Sequence, residues 1–357
     1  MYCEACGVPV GITRGNTWHA DGSISGKHPP YIKGTFFDVD ELGYLFRALS
    51  ELMHYDISDI VASGKYHDAR EYMSALMEKM KEASGGTLPS AEELYRMMLY
   101  PICIWGIAAI EISSITPEKM VIRVKDPYSI PLLCGDVAGV ADVVAGGEHK
   151  AVWEGDEKEG EITVIPAPGY AAVSRRIDEV SRYGAKPEAE ELACERCQAC
   201  GAPEGVSGLF SWDNDRCRIE ERSSGRRYGF NNTEGISAVL RMLVGELGEE
   251  MEQRMEDIAR EYSLSLYKAV GQPEGDGRRG RIDLQAQFDS FPLRGWGMVT
   301  DNSSEELERS VSIANPYNDT LVTGRIWGME EASTGIPLDL TGSENDGRTL
   351  RLAFSPS

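Results

Sequence analysis

The sequence predicts an α+β protein made by internal duplication: two similar domains, each an antiparallel sheet with helices, arranged as a pseudo-dimer. Three observations carry this. The motif C-x-x-C-G-x-P occurs twice, at residues 3–9 and 197–203, an offset of 194. Landmarks beyond each motif recur in one order, and in each copy segments of helical apolar periodicity precede segments that alternate apolar and polar residues. A chain of 357 residues with 41% hydrophobic content is also long enough for two separate cores.

Each copy opens with a cysteine knuckle, whose glycine suits the tight turn between the two thiols and the following chain. A β-hairpin is expected next, at 10–13 with 24–25 in the first copy and at 209–212 with 217–221 in the second, with Trp18 matching Trp212. Helices follow at 40–53, 66–83 and 91–99, then at 234–270 with breaks and at 284–290; Arg47 matches Arg241 and Leu49 matches Leu243. Trp105-Gly106 pairs with Trp296-Gly297, and Asp126-Pro127-Tyr128 with Asn315-Pro316-Tyr317. Gly135 and Gly139 answer Gly324 and Gly328, and strands are expected at 120–124, 161–165, 310–313 and 349–354. The first repeat therefore spans 1–166 and the second 194–357, joined by a linker at 167–193 with a short helix near 172–183.

Fifty-eight acidic against 36 basic residues give a formal charge of −22, which repels phosphate backbones and excludes broad nucleic-acid binding. The basic run Arg278-Arg279-Gly280-Arg281 is too short to reverse it. No stretch approaches the ~20 apolar residues of a membrane span and the N-terminal residues do not read as a signal peptide, so a cytoplasmic protein is expected.

Eight cysteines in so long a chain do not make a disulfide scaffold, and their clustering makes metal binding the first question. C-x-x-C lets two thiolates face one ion, which is half of a tetrahedral site. If the copies pack about a twofold axis, Cys3 and Cys6 meet Cys197 and Cys200 in a closed four-thiolate site for zinc. The alternative is a local site from Cys194, Cys197, Cys200 and Cys217, and an iron–sulfur cluster is the alternative cofactor. Cys103 and Cys134 read as small buried hydrophobes.

The order of W-G, an alternating strand, D/N-P-Y, G-x-x-x-G and a final strand resembles the 4-vinyl-reductase-type domain, a small-molecule-binding α+β fold. That resemblance implies a hydrophobic or aromatic ligand in each copy. The family's late zinc site, which ends near a C-x-F strand, has no counterpart here, since Leu352-Ala353-Phe354 lacks the cysteine.

Trp105 with Tyr128, and Trp296 with Tyr317, are the candidate pocket residues. The methionines Met73, Met77 and Met80, and Met251 and Met255, recur at helical spacing and read as core. All five histidines lie in the first copy, which excludes a duplicated histidine site, and no phosphate loop or nucleophile elbow is present. Two functions remain: a metal-tied small-molecule-binding or scaffold protein with a possible protein partner, or an enzyme subunit using a zinc or iron–sulfur centre with His19 or His54.

Overall fold

The computed structural model describes residues 1–29, 31–116, 118–170, 188–270, 283–305 and 308–357. The expected linker helix at 172–183 and the basic run at 278–281 lie outside these residues.

In the first half the chain forms α1 (Val10–Gly15), β1 (Asn16–Trp18), β2 (Ile24–Gly26), β3 (Lys33–Asp38), α2 (Val39–Met53), α3 (Ser58–Ala83), α4 (Ala91–Ile104), β4 (Ala109–Ile115), β5 (Met120–Lys125), α5 (Ile130–Ala145), β6 (His149–Gly155) and β7 (Glu159–Pro166). The second half gives the same order: α6 (Glu204–Leu209), β8 (Phe210–Asp213), β9 (Arg218–Glu221), β10 (Arg227–Asn232), α7 (Thr233–Leu247), α8 (Glu250–Val270), α9 (Leu284–Arg294), β11 (Met298–Glu305), β12 (Glu308–Ala314), α10 (Asp319–Thr334), β13 (Leu338–Asn345) and β14 (Thr349–Pro356).

The caps correspond as well. The Asp38 side chain accepts from the amides of Asp40 and Glu41 at the start of α2, and Asn232, 194 residues on, caps α7 through Gly235. Ser90 and Glu93 form a reciprocal capping box on α4.

Among the described residues three antiparallel sheets result. A central six-stranded sheet runs β1-β2-β3-β10-β9-β8 and so takes three strands from each half. At its middle β3 pairs with β10, with Phe36 directly opposite Phe230. The flanking four-stranded sheets, β4-β5-β7-β6 and β11-β12-β14-β13, each bury one face, Ile122, Val124, Ile162 and Val164 in one and Val311, Ile313, Leu350 and Leu352 in the other.

The halves are interleaved. Trp18 Nε1 donates to the Leu293 carbonyl and Trp212 Nε1 to the Ile104 carbonyl, both at 3.1 Å, so each tryptophan anchors its half to the late helix of the other. Residues 189–192, expected in the linker, run beside β1: Ala20 N donates to Glu190 O and Leu192 N to Trp18 O.

Several elements differ from expectation for identifiable reasons. Residues 10–13 are helical because Pro9 starts α1, and Asn16–Trp18 is the strand that pairs with β2. The two G-x-x-x-G segments lie in α5 and α10, which the sequence pattern did not reveal as helices. A side chain at Gly135 or Gly139 would meet the carbonyl oxygens of Ala62 or Tyr66 on α3, and one at Gly324 or Gly328 those of Glu256 or Arg260 on α8. These glycines set backbone-to-backbone helix packing. The D/N-P-Y loops have their own backbone cause: Asp126 and Asn315 sit at φ 51° and 53°, where Asp and Asn are better tolerated than other non-glycine residues.

The register between Trp105 and Trp296 also needs correction. Gly106 (φ 73°) and Gly295 (φ 75°) end α4 and α9 in the same way, so Trp105 corresponds to Arg294, and Trp296 to Ile107. Among the described residues no helix is long and apolar enough to cross a membrane.

Candidate metal centre and ligand cavity

Both knuckles fold through the same hydrogen bonds. Cys3 N donates to Val8 O and Gly7 N to Cys3 O; Cys197 N donates to Ala202 O and Gly201 N to Cys197 O. Gly7 and Gly201 both adopt φ 76°, the left-handed turn that a side chain would strain. Pro9 and Pro203 then start the short helices α1 and α6.

The two turns face each other. Cys3 Sγ lies 3.8 Å from Cys197 Sγ, and Cys6 Sγ 3.5 Å from Cys200 Sγ. All four sulfurs lie within 4.8 Å of one another. A tetrahedron with ~2.3 Å metal–sulfur bonds has edges of ~3.8 Å, so these thiols surround the volume of a single ion. The amides of Cys6 and Ala5 draw the Cys3 thiol down to about 7, whereas burial pushes Cys6 up to about 12 and raises Cys200. A cation at the centre favours the thiolate form of all four.

The local alternative set is not assembled. Cys194 is exposed and outside the cluster, and Cys217 is joined to Cys103 in a disulfide that ties the end of α4 to the start of β9. This corrects the reading of Cys103 as a buried hydrophobe, and the bridge is of a kind uncommon in reducing compartments. Cys134 is buried as expected, and burial raises its thiol to about 12.

A cavity of about 320 Å³ lies in the first half, bounded by α3, α4, α5, β4 and β5 and closed by α1 and the end of β10. Trp105 lines it together with Tyr95, Ile107, Ile122, Leu133 and Phe230. Tyr128 stands behind the wall: its hydroxyl donates to Asp136 Oδ2 at 2.9 Å, and Asp136 is the group that lines the cavity. Sequence reasoning missed Lys65, Asp68 and Asp136 there, because nothing in their spacing brings α3 and α5 together. The G-x-x-x-G pattern around Asp136 was the available signal.

Around Trp296 and Tyr317 the second half is filled. Both are buried, the Arg325 guanidinium lies 3.6 Å over the Trp296 ring, and it pairs with Glu41 of the first half. A second space of about 390 Å³ opens at the surface between residues 192–195, α6 and α9, and neither Trp296 nor Tyr317 lines it.

The histidines offered for catalysis have other placements. His19 is buried, with Nε2 2.7 Å from Ser25 Oγ and Nδ1 3.0 Å from Ala189 O. His54 is the exposed left-handed residue ending α2. Met73, Met251 and Met255 are buried core side chains. No protein-family model matches the chain, and no curated protein or solved structure is detectably similar to it.

Proposed function

We propose that the protein is a zinc-tied, small-molecule-binding protein of non-enzymatic type, in which one ion held by Cys3, Cys6, Cys197 and Cys200 clamps two duplicated halves as a pseudo-dimer and the first half holds an apolar ligand. The observation that carries the metal reading is the convergence of two knuckles of one motif, 194 residues apart, into one sulfur cluster of single-ion dimensions. Four thiolates in tetrahedral array suit zinc. An iron–sulfur cluster spreads its thiolates over two or more irons and needs a wider set of sulfurs than this one.

The ligand reading rests on the cavity, which lies at the small end of the ~300–1,000 Å³ typical of ligand sites and is mainly apolar. The resemblance to 4-vinyl-reductase-type domains agrees with it and stands as part of the proposal. Metal analysis with native mass spectrometry of the purified chain tests both parts. One zinc per chain is expected, with a small-molecule adduct released on denaturation. Several irons with inorganic sulfide, or no metal after purification in zinc-containing buffer, would overturn the metal reading.

A further inference from the structure

The cavity of the first half is long for its volume, and three of its walls give the same length. On α3 it is lined by Lys65, Asp68, Ala69, Tyr72 and Leu76, one stripe at helical spacing whose ends stand ~16 Å apart at 1.5 Å per residue. Along α4 and just past its end it is lined by Tyr95, Met98, Ile102 and Trp105, over ~15 Å. Ile107, Ile110 and Ile112, on the chain that enters and forms β4, cover up to ~16 Å at ~3.3 Å per residue. A volume of about 320 Å³, at the small end for ligand sites, spread over that length makes a channel rather than a chamber.

The two ends of the channel differ in chemistry. Lys65 Nζ lies 3.3 Å from Asp136 Oδ1, and the Tyr128 hydroxyl that donates to Asp136 belongs to the residue whose amide donates to Ile107 O. Phe230 N donates to Trp105 O. Lys65, Asp136, Ile107, Trp105 and Phe230, with Asn231 beside it, therefore share one end, and that end is polar. From there the three walls run together toward Leu76, Tyr95 and Ile112. Apart from the hydroxyls of Tyr72 and Tyr95, the far part is built of Leu76, Met98, Ile110, Ile112, Met120 and Val140. These are flexible or branched aliphatic side chains without the ring faces that a flat aromatic ligand would stack on. An extended carbon chain with ~1.5 Å bonds at ~111° advances ~1.25 Å per bond, so ~16 Å holds about 12 carbons and a head.

We infer that the cavity takes a single-chain aliphatic amphiphile, its unbranched alkyl chain laid along α3 toward Leu76 and Ile112 and its polar head at the Lys65 and Asp136 end. This rests on the reading of the cavity as a ligand site.

Equilibrium dialysis of the full chain against n-alkan-1-ols from hexanol to hexadecanol tests it, with cyclododecanol, which closes the carbons of dodecanol into a ring, as the comparison. Each added methylene should tighten binding about fourfold, the ~0.8 kcal/mol of one buried CH₂, up to about 12 carbons, beyond which longer alkanols should gain nothing. Cyclododecanol should bind about tenfold or more weaker than dodecanol, since a ring cannot extend along the channel. Ile112→Trp, and independently Leu76→Trp, should lower the length limit by about two carbons or more and leave the affinity of hexanol in place. The same series as carboxylates tells a fatty acid from a fatty alcohol as the source of the chain, and the length limit is expected in whichever series binds tighter. If cyclododecanol binds as tightly as dodecanol, if affinity shows no length limit or reaches it by octanol, or if both tryptophan variants leave the limit unmoved, the chain inference is wrong and the cavity reading stands. If no alcohol or carboxylate of either shape binds, the cavity reading itself falls and takes this inference with it.

Discussion

Replacing Cys6 with serine removes one of the four cysteine sulfurs at which the two knuckles meet, and on the proposed reading the cost follows from how much chain an ion held there would close. The direct separation is 194 residues, but the Cys103–Cys217 bridge offers a shorter circuit. It runs from Cys6 to Cys103 (97 residues) and from Cys217 back to Cys200 (17), about 114 in all. Cross-linking a loop of that length stabilises by ~4.8 kcal/mol in the chain-entropy relation. Mass action gives a similar scale, ~4.1 kcal/mol when free metal is a thousandfold above its Kd. These are two estimates of one effect and do not add. Against the ~5–15 kcal/mol of a typical folded domain the loss is large, and it falls on the whole molecule because β3 and β10 share the central sheet. Urea unfolding followed by tryptophan fluorescence, with bound metal measured in parallel, should show Cys6→Ser losing its ion and ~4 kcal/mol in one transition. Cys194→Ser should lose neither. The reasoning is refuted if Cys6→Ser keeps metal and midpoint, or if hydrogen exchange shows only the first half loosened.

Three further outcomes follow from the packing. The double variant Cys103→Ala with Cys217→Ala should lose up to ~4.8 kcal/mol, and a reductant should lower the melting temperature of the wild type but not of the variant. Gly139→Val should cost ~3 kcal/mol or more by driving α5 away from α3, read by denaturation, with Gly328→Val equivalent on α8 and α10; a neutral effect would remove the close-packing account. Burial alone would raise the Glu221 carboxyl, but the guanidiniums of Arg294 and Arg226 override it and hold it at about 2 against an ordinary 4.5. Since the folded-state value is depressed, the ~3 kcal/mol this represents is present above pH ~4.5 and is lost as pH falls toward 2. Glu221→Gln should therefore lower stability at neutral pH and flatten the acid limb of a pH–stability profile.

What the sequence disclosed and what it hid divide along physical lines. The knuckles were legible because thiols able to share one ion need a fixed residue type and local spacing, and the 194 offset placed the second pair of cysteines without knowledge of the fold. Helices such as α2 and α8 and strands such as β5 and β14 were legible from their apolar periods. The disulfide was not, since Cys103 and Cys217 stand in no motif and meet only because each half packs its late helix against the other's hairpin. Helices α5 and α10 were hidden by the glycines that let them approach α3 and α8, because glycine in isolation signals a turn. The filling of the second pocket was hidden for a related reason: Arg325 reads as a surface residue until Glu41 of the other half is seen beside it.

The metal centre and the cavity are mechanically continuous. The chain leaves Cys6 through Gly7 and Pro9 directly into α1, and Gly11 and Gly15 of that helix form part of the cavity wall. The same helix meets α4, where an added side chain at Gly11 would press on Ile104 and Tyr100; α4 supplies Tyr95 and Ile102 to the cavity, carries the disulfide at Cys103, and is followed by Trp105, which also lines it. A six-residue helix has too few internal hydrogen bonds to hold itself in place, so its position depends on the anchored knuckle before it and the strand after it. On the proposed reading, an ion held by the knuckles would stabilise the cavity-bearing arrangement, and by linkage a ligand that requires that arrangement would tighten the ion to the same degree. In the second half α6 follows its knuckle in the same way, but the buried rings of Phe210 and Tyr228, with the Arg294 guanidinium over both, occupy the space beyond it. What borders α6 instead is the surface space between residues 192–195, α6 and α9.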